Sequence, residues 1–328
     1  MTFANNTPFA GIDVPLTDHE GRDMVVVIVK ATFTVRQDGS LQRAEKPSPI
    51  RVNDELLDPD AVESSLLYPT DVAIAKRGTD VIVRGDAVSA QPVPYVDVAV
   101  KVKERVVPLR VHGQRLFYKS AFGAAIGPAA PFTRKPIVYE RAYGGFTPDY
   151  AVAEFRNLAG IGVAKRAADL VDRPAPQIED PRLAHTTSGD THPPVGLGAI
   201  RSHWSPRKDF LGTYDPSWES TRAPLLPRDF DIQFYNVAHP SLVFREGLAP
   251  GDPVAIRGMT GDVFAFALPD LRVVAQAKFD ASGVTRTPLP IDTVLIEPSR
   301  ARVEIVCRKA FPAGRGKDLL RELRAELA

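Results

Sequence analysis

Hydrophobic and polar residues alternate along several parts of the chain, with the period of two that places every second side chain on the same face of a β-strand. In residues 96–102, valine occupies every second position, and polar or small residues fill the positions between. Residues 24–29 are instead continuously apolar, and alternation returns at Phe33 and Val35. We therefore predict two strands here and expect one end of the earlier strand to be covered on both faces.

Similar patterns predict further strands, which lie at residues 80–84, 136–143, 231–236, 253–257, 263–268, 273–279, 293–296 and 302–308. Turn-forming residues occur where two hairpins would need them, as QDGS at 37–40 and EPSR at 297–300. The fold predicted from these patterns is mainly β, with antiparallel sandwich-like or barrel-like sheets.

Two regions depart from the alternation. Residues 120–250 lack a strong period and contain 15 of the 30 prolines, so we predict long, ordered loops that lie over the sheets. Near residue 328, the leucines at 319, 320, 323 and 327 fall on one side of a helix. We therefore predict an amphipathic helix at 314–328, after a β domain at 1–311. Two packed lobes, at about 1–120 and 230–311, are the alternative to a single unit.

Composition narrows the class of partner. The 328 residues include 41 Lys and Arg against 40 Asp and Glu, so a net charge of +1 gives no long-range attraction to nucleic acid or anionic lipid. The single cysteine, Cys307, cannot form an internal disulfide, which fits a reducing compartment. The first residues do not resemble a signal peptide, and no apolar run reaches the ~18 residues of a membrane span. We expect a cytoplasmic protein that binds neither nucleic acid nor membrane.

The sequence motifs that carry catalysis are missing. There is no Gly-x-Ser-x-Gly nucleophile motif and no glycine-rich phosphate loop. The six histidines have none of the spacings that place two imidazoles on one metal ion. Cys307 shares a predicted strand face with Val303 and Ile305, as a buried core thiol would. We predict that the protein is not an enzyme and has no catalytic residues, metal site, cofactor or small-molecule substrate.

Acidic residues gather in one loop region, at Asp209, Asp215, Glu219, Asp229 and Asp231. Such acids usually accept hydrogen bonds in turns or pair with neighbouring arginines. A glycosidase, however, needs a facing pair of carboxylates. One alternative function is therefore a carbohydrate-active enzyme that uses Asp215 or Glu219 with Asp229.

Aromatic and arginine residues are dense in the same region, between residues 204 and 234. These residue types anchor protein interfaces because they bury a large area and keep a polar group, but they also hold loops onto a core. A second alternative is a sugar-binding module in which Trp204 and Trp218 form a stacking platform. The candidate partner-binding residues are Trp204, Arg207, Tyr214, Trp218, Arg222, Phe230 and Phe234, together with Leu319, Leu323 and Leu327 of the predicted helix.

The order of several short motifs resembles one bacterial family, catalogued as domain of unknown function 2169 (DUF2169). The motifs are GTYDPSW at 212–218, RAPLLP at 222–227 and DFD at 229–231, preceded by YERAYGG at 139–145, PVGLG at 194–198 and WSPR at 204–207. VKATF at 29–33, with Asp71, Lys76 and Asp80, also fits the family. The resemblance extends to Arg308, although RNLAG at 156–160 lacks the family's usual proline and Cys307 stands where a tryptophan is expected.

The resemblance implies a function that the residues alone do not indicate. Members of this family are similar to adaptors of the type VI secretion system, which help to load a toxic effector onto the VgrG or PAAR spike. No catalytic residues are attached to the family. Our leading hypothesis is therefore a non-enzymatic adaptor or chaperone whose partners are proteins, namely an effector, a PAAR protein or VgrG.

Overall fold

The computed structural model describes residues 1–121 and 123–328 of the chain. Strand accounts for 44% of the residues and helix for 8%, so the prediction of a mainly β fold is confirmed. Most strands pair in antiparallel sheets, and none of the sheets within the described residues closes into a barrel.

The strands are long at both ends of the chain and short in the middle. The first part contains β1 (Thr2–Asn5), β2 (Ala10–Thr17), β3 (Asp23–Val35), β4 (Leu41–Arg43), β5 (Glu55–Leu56), β6 (Leu66–Tyr68), β7 (Thr79–Val83), β8 (Asp86–Val93), β9 (Tyr95–Val102) and β10 (Arg105–His112). The middle contains β11 (Phe117–Ser120), β12 (Gly123–Ile126), β13 (Phe132–Pro136), β14 (Tyr143–Phe146), β15 (Ala153–Glu154), β16 (Ile161–Gly162), β17 (Ile178–Glu179), helix α1 (Pro216–Thr221) and β18 (Val243–Phe244). The last part contains β19 (Pro253–Arg257), β20 (Phe264–Ala267), β21 (Val273–Phe279), β22 (Gly283–Leu289), β23 (Ile291–Glu297), β24 (Arg302–Pro312), β25 (Gly314–Arg315) and β26 (Asp318–Leu327). Short 3₁₀ helices lie at Tyr139–Arg141, Ala167–Leu170, Arg207–Phe210, Ile232–Tyr235, Pro240–Leu242 and Pro298–Arg300.

The largest sheet has the strand order β18-β7-β23-β24-β3-β2, with β4 beside β3. Strand β3 contains the continuous apolar run, and its residues 25–33 are all buried. One face of β3 lies on the main core. On the other face, Val26 and Ile28 pack with Val306 and with Ile50 from the loop before β5. The predicted coverage of one end of this strand on both faces is therefore confirmed.

A five-stranded sheet with the order β17-β10-β9-β19-β20 contains the valine alternation. The valines of β9 are buried and the residues between them are exposed or half-buried, as predicted. Another five-stranded sheet has the order β1-β26-β21-β22, with β25 beside β26. Both predicted hairpins are present, because β3 pairs with β4 and β23 pairs with β24.

The predicted C-terminal helix is wrong. Asp318–Leu327 form strand β26, which pairs antiparallel with β21 and parallel with β1. Between Leu320 and Glu322 the register with β21 shifts, which makes Arg321 a bulge. Leu320 and Leu323 therefore both reach the core although they are three positions apart. The bulge gives the buried leucines the three-residue spacing that is typical of a helix. Pairing with β21 on one side and β1 on the other stabilises the strand.

Two predicted strands, at 136–143 and 231–236, are also wrong, because each contains a 3₁₀ helix. In the first, Tyr139–Arg141 are fixed by Glu140, whose carboxylate accepts hydrogen bonds from the N–H (2.7 Å) and the hydroxyl (2.9 Å) of Ser65. In the second, Ile232–Tyr235 begin at the capping residue Asp231. Glu140 thus ties the first segment to a distant residue, and Asp231 caps the second through a local hydrogen bond, despite the alternating apolar residues. The other predicted strands correspond to β7, β19, β20, β21, β23 and β24.

Residues 120–250 consist mostly of ordered loops with short elements, as predicted. Strand β17 attaches them to β10 of the five-stranded sheet, and β18 attaches them to β7 of the largest sheet. Trp204 is completely buried in a separate hydrophobic cluster with Tyr139, Leu158 and Ile200. These contacts hold the loops against both sheets.

Strands from both ends of the chain share the largest sheet. Strands β2, β3, β4 and β7 come from residues 1–120, and β23 and β24 come from residues 230–311. Strand β24 pairs with β3 over residues 302–312, so the two ends depend on each other for backbone hydrogen bonds. The division into two lobes remains a prediction. Across the described residues, no helix has the length and apolar character that a membrane span requires.

Candidate protein-binding surface

Residues 212–235, which we call the aromatic loop, contain most of the candidate contact residues. Helix α1 lies near the start of this loop. The carboxylate of Asp215 caps the helix by accepting a hydrogen bond from the N–H of Trp218 at 2.7 Å. Pro216 occupies the first turn, where its fixed φ suits a helix and its missing N–H costs nothing. This local chemistry explains why a helix forms in a proline-rich loop.

Tyr214 and Trp218 form an aromatic pair at this helix. Their ring centroids lie 4.6 Å apart with an interplanar angle of 64°. The indole N–H of Trp218 donates to the carbonyl of Leu225 at 2.8 Å, which holds the ring in one orientation. Tyr214 is 49% exposed and has free surface for a partner. Rigid aromatic side chains lose little conformational entropy when a partner binds.

Arg222 attaches the aromatic loop to the turn between β2 and β3. Its guanidinium donates to the carbonyls of Leu226 (3.0 Å) and His19, and it lies 3.7 Å from the carboxylate of Glu20. Leu225 packs against Gly21 in the same turn, where an added Cβ would lie 3.1 Å from the leucine. Arg222 is therefore largely committed to internal contacts, although its sequence position suggests a contact with a partner.

Asp229 closes the aromatic loop onto its own start. Its carboxylate accepts hydrogen bonds from the N–H (3.0 Å) and the hydroxyl (2.8 Å) of Thr213, and these bonds lower the pKa of Asp229. Gly212 has a φ of +83°, and a Cβ there would lie 2.7 Å from the Asp229 carboxylate. Only glycine fits this position without strain.

A groove of about 410 Å³ lies beside the aromatic loop. Its lining residues are His19, Ile74, Asp229, Phe230, Asp231, Ile232 and Tyr235. The ring of Phe230 contacts those of Phe234 and Tyr235, with centroids 5.9 Å and 5.7 Å away. Ile232 is partly exposed at this groove. The groove therefore combines apolar surface with two carboxylates.

Two of the predicted contact residues lie in the interior instead of on the surface. Trp204 has no exposed area, and its indole N–H donates to the carboxylate of Glu63 at 3.2 Å. Arg207 is buried and donates to the carbonyls of Ile200 (2.7 Å) and Phe234 (3.0 Å). Burial lowers the pKa of Arg207 to about 10. Neither residue is available to a partner, and the predicted sugar platform of two tryptophans loses one of its rings.

The three leucines predicted to line a helix are separated by the strand that replaces the helix. Leu323 is completely buried in the core, Leu319 is half-buried and Leu327 is exposed. Leu323 and Leu327 share a face of β26, and the bulge at Arg321 places Leu319 on the other face. Because Leu323 is buried and Leu319 lies on the other face, these leucines do not form one partner-binding stripe.

The acids considered for glycoside hydrolysis have structural roles or lie in solvent. Asp215 caps α1, Asp229 binds Thr213, and Glu219 is exposed. Among the described residues, no group of three or more His, Cys, Asp or Glu side chains could hold a metal ion. Cys307 is buried, and burial raises the pKa of its thiol well above the usual value.

The structure contains a buried ionic network that the sequence did not predict. Lys30 of β3 lies 2.8 Å from Asp71 and 3.0 Å from Glu304, and Arg51 lies 2.7 Å from the same glutamate. Burial opposes ionisation of Glu304, but hydrogen bonds from Arg51 and Ser48 and the positive charge of Lys30 outweigh it and lower its pKa to about 2. In the sequence, this network is indicated by Lys30, which directly follows the apolar run at residues 24–29.

A second ionic group fixes β7 to the middle of the chain. The carboxylate of Asp80 lies 2.7 Å from Lys76 and accepts hydrogen bonds from the side chain of Asn236 (2.9 Å) and the N–H of Val237 (2.8 Å). Asp71, Lys76 and Asp80 are among the positions that resemble the family. Their contacts show that these positions hold the fold together.

A comparison with family models places the chain among known sequences. The model described as "Uncharacterized protein conserved in bacteria (DUF2169)" matches residues 20–308. No curated protein and no solved structure matches the chain. The matched residues include the aromatic loop and both ionic groups.

Proposed function

The chain belongs to the bacterial family described as "Uncharacterized protein conserved in bacteria (DUF2169)", and on that premise we propose that it is a non-enzymatic adaptor. In this proposal it binds an effector of the type VI secretion system and assists its loading onto the VgrG or PAAR spike. Its partners are proteins, and it acts in the cytoplasm. The support is the sequence resemblance together with a surface suited to protein binding.

The observation that carries the proposal is the rigid, partly exposed aromatic pair of Tyr214 and Trp218. Interfaces are enriched in such residues because they bury much apolar area at a small entropic cost. The pair is held by the Asp215 cap and by the indole bond to Leu225. The adjacent groove adds Phe230 and Ile232 as apolar surface. Together they offer a preformed contact region.

Binding without catalysis is sufficient for the proposed role. An adaptor that holds cargo and spike must favour the complex before assembly and lose affinity afterwards, which requires only different affinities for two states of a partner. A preformed surface suits this task because little ordering accompanies each binding event.

The test is co-purification with the products of neighbouring genes. The wild-type chain is co-expressed with the adjacent effector, PAAR and VgrG proteins, and we expect at least one stable complex. Tyr214→Ala should weaken that complex by about tenfold or more, because a partly exposed aromatic anchor is lost. Affinity is measured by titration calorimetry.

The matched control is Tyr118→Ala. Tyr118 is 51% exposed but lies on the β11–β12 hairpin. We expect this variant to bind as the wild type does. If none of the neighbouring products binds the wild-type chain, the adaptor proposal is wrong. If a product binds equally well to both variants, the adaptor proposal stands but the aromatic pair is not its contact region.

A further inference from the structure

Strand β10 has a free edge at residues 105–109. On one side β10 pairs with β9 over its whole length, but on the other side β17 pairs with only two of its residues, Arg110 and Val111. After β17 the chain turns away from β10, where the N–H of Leu183 donates to the carbonyl of Asp180 at 2.8 Å. In the described part of the chain, no strand pairs with residues 105–109 on this side.

The backbone groups of Val106 and Pro108 face this edge. In an antiparallel sheet, successive residues direct their N–H and C=O groups alternately to the two neighbouring strands. The N–H of His112 donates to the carbonyl of Gln177 at 2.7 Å, so every second residue before His112 also points away from β9. The N–H that Pro108 lacks therefore costs β10 no bond to β9. Among the described residues, the N–H and C=O of Val106 and the C=O of Pro108 have no hydrogen-bond partner.

A groove of about 490 Å³ lies beside this edge, and we call it the β10 groove. Its volume is typical of a ligand site. Residues 105–108 line it, together with residues of the segment 239–246 and with Asp180 and Arg182. Val106 is 52% exposed. The β10 groove shares no lining residue with the groove beside the aromatic loop, so it is a separate surface.

Two arginines of the β10 groove have neutral partners. Nη1 of Arg105 donates to the carbonyl of Val243 at 2.7 Å, and its guanidinium lies 4.2 Å from the centroid of the Phe244 ring. Nη2 of Arg245 donates to the side-chain oxygen of Gln233 at 2.8 Å. Within residues 1–121 and 123–328, neither arginine forms an ion pair with a carboxylate. Both guanidinium groups keep N–H donors for an anionic partner.

The acids of the β10 groove do not cancel this positive charge. The lining residues include three arginines but only two acids, Asp180 and Glu246. Asp180 is engaged by Arg182, whose guanidinium donates to both carboxylate oxygens at 2.9 Å and 2.5 Å. Glu246 is exposed to solvent. A surplus of positive charge therefore remains at Arg105 and Arg245.

We propose that the β10 groove binds an extended, acidic peptide segment of a protein partner. The segment adds a strand to β10: its backbone exchanges hydrogen bonds with Val106 and donates one to the carbonyl of Pro108. An acidic side chain of the segment pairs with Arg105 or Arg245 through charge-assisted hydrogen bonds. The free backbone groups favour a peptide over a small anion as the ligand. The proposal rests on the proposed function in one respect, that the ligand belongs to a protein.

A phage-displayed library of random peptides of about 12 residues tests the site without knowledge of the partner. The wild-type chain is the bait, and peptides that also bind Val106→Pro are removed. This variant should keep the wild-type Tm, because the N–H that it removes points away from β9. If its Tm falls, the double variant Arg105→Gln, Arg245→Gln replaces it. We expect the remaining peptides to contain Asp or Glu among strand-forming residues.

Fluorescence polarisation with a selected peptide then separates the contacts. Arg245→Gln and Arg105→Gln should each weaken binding by about tenfold or more, because each removes a charge-assisted hydrogen bond. Val106→Ala should bind as the wild type does, because it keeps the free N–H. The matched control Arg43→Gln, which removes an exposed arginine of β4, should also bind normally.

Three results would contradict the proposal. They are a selection that leaves no peptide, selected peptides without acidic residues, and wild-type affinity in both arginine variants of the groove. None of them affects the co-purification test of the adaptor role, which uses full-length products of neighbouring genes. The two proposals can therefore fail separately.

Discussion

Lys30 and Lys135 are both buried, but they have opposite electrostatic surroundings. Lys30 Nζ lies between the carboxylates of Asp71 and Glu304, at 2.8 Å and 3.0 Å. Lys135 has arginines as its charged neighbours, and in the described part of the chain no carboxylate pairs with it. The comparison teaches that the effect of a buried lysine on stability depends on its neighbours: removing a carboxylate beside Lys30 should cost stability, whereas removing the charge of Lys135 should not.

The largest expected effect comes from removing one of the two carboxylates beside Lys30. Glu304→Gln leaves Lys30 and Arg51 with one carboxylate fewer in a buried place. We expect a loss of about 3–5 kcal/mol in the free energy of unfolding, the usual cost of removing one partner from a buried ion pair. Urea denaturation at pH 7 measures it.

Two variants check that the cause is the loss of the buried carboxylate. Glu104→Gln removes a glutamate whose side chain is 95% exposed, and it should change stability by no more than about 0.5 kcal/mol. Adding Lys30→Met to Glu304→Gln should not recover the lost stability, because Lys30 still pairs with Asp71 and its removal leaves that carboxylate without the lysine. A double variant more stable than Glu304→Gln alone would contradict this explanation.

Low pH should remove the stability that ionised Glu304 contributes to the fold. The pKa of Glu304 is lowered to about 2 in the folded chain, below its usual value of 4.5. Its ionisation therefore stabilises the fold fully above pH 4.5, and this contribution is lost as pH falls through about 2. The stability difference between wild type and Glu304→Gln should shrink by on the order of 2–3 kcal/mol between pH 6 and pH 2. A difference that stays constant over this range would contradict the role of Glu304.

High pH should increase the stability of the fold, because Lys135 loses its proton. The pKa of Lys135 is lowered from 10.5 to about 8 in the folded chain, so the folded state releases its proton before the unfolded state does. Stability should therefore rise between pH 8 and pH 10.5, by on the order of 2 kcal/mol. Lys135→Met should lack this rise, whereas Lys278→Met, which removes an exposed lysine of β21, should show it. Equal pH profiles for all three proteins would overturn the assignment of a charged, buried Lys135.

Strands such as β3, β9 and β24 could be predicted because the surroundings of their side chains repeat along the strand. Each valine of β9 faces the same core, so the alternation of residues 96–102 records burial directly. Strand β26 could not be predicted in this way. The bulge at Arg321 changes the face on which later side chains lie, and only the pairing with β21 shows where it occurs.

The candidate surface was predictable in part. The aromatic loop was identified from its residues, and its helix cap at Asp215 follows from local sequence. Exposure was not predictable, because Trp204 and Tyr214 are both aromatic residues of proline-rich loops, yet one is fully buried and the other is 49% exposed. Which aromatic side chain holds the loop and which remains free depends on distant residues such as Glu63 and Tyr139.

By itself, the sequence determined the mainly β class, strands β3, β7, β9, β19, β20, β21, β23 and β24, the hairpin turns and the family resemblance. Each depends on residues close together in the chain or on motifs in a fixed order. Only the tertiary structure decided that β26 is a strand, that Lys30 is paired and that Lys135 is not. The physical reason is that backbone pairing and counter-charges come from residues far apart in sequence, such as Glu304 for Lys30. Their proximity exists only after folding.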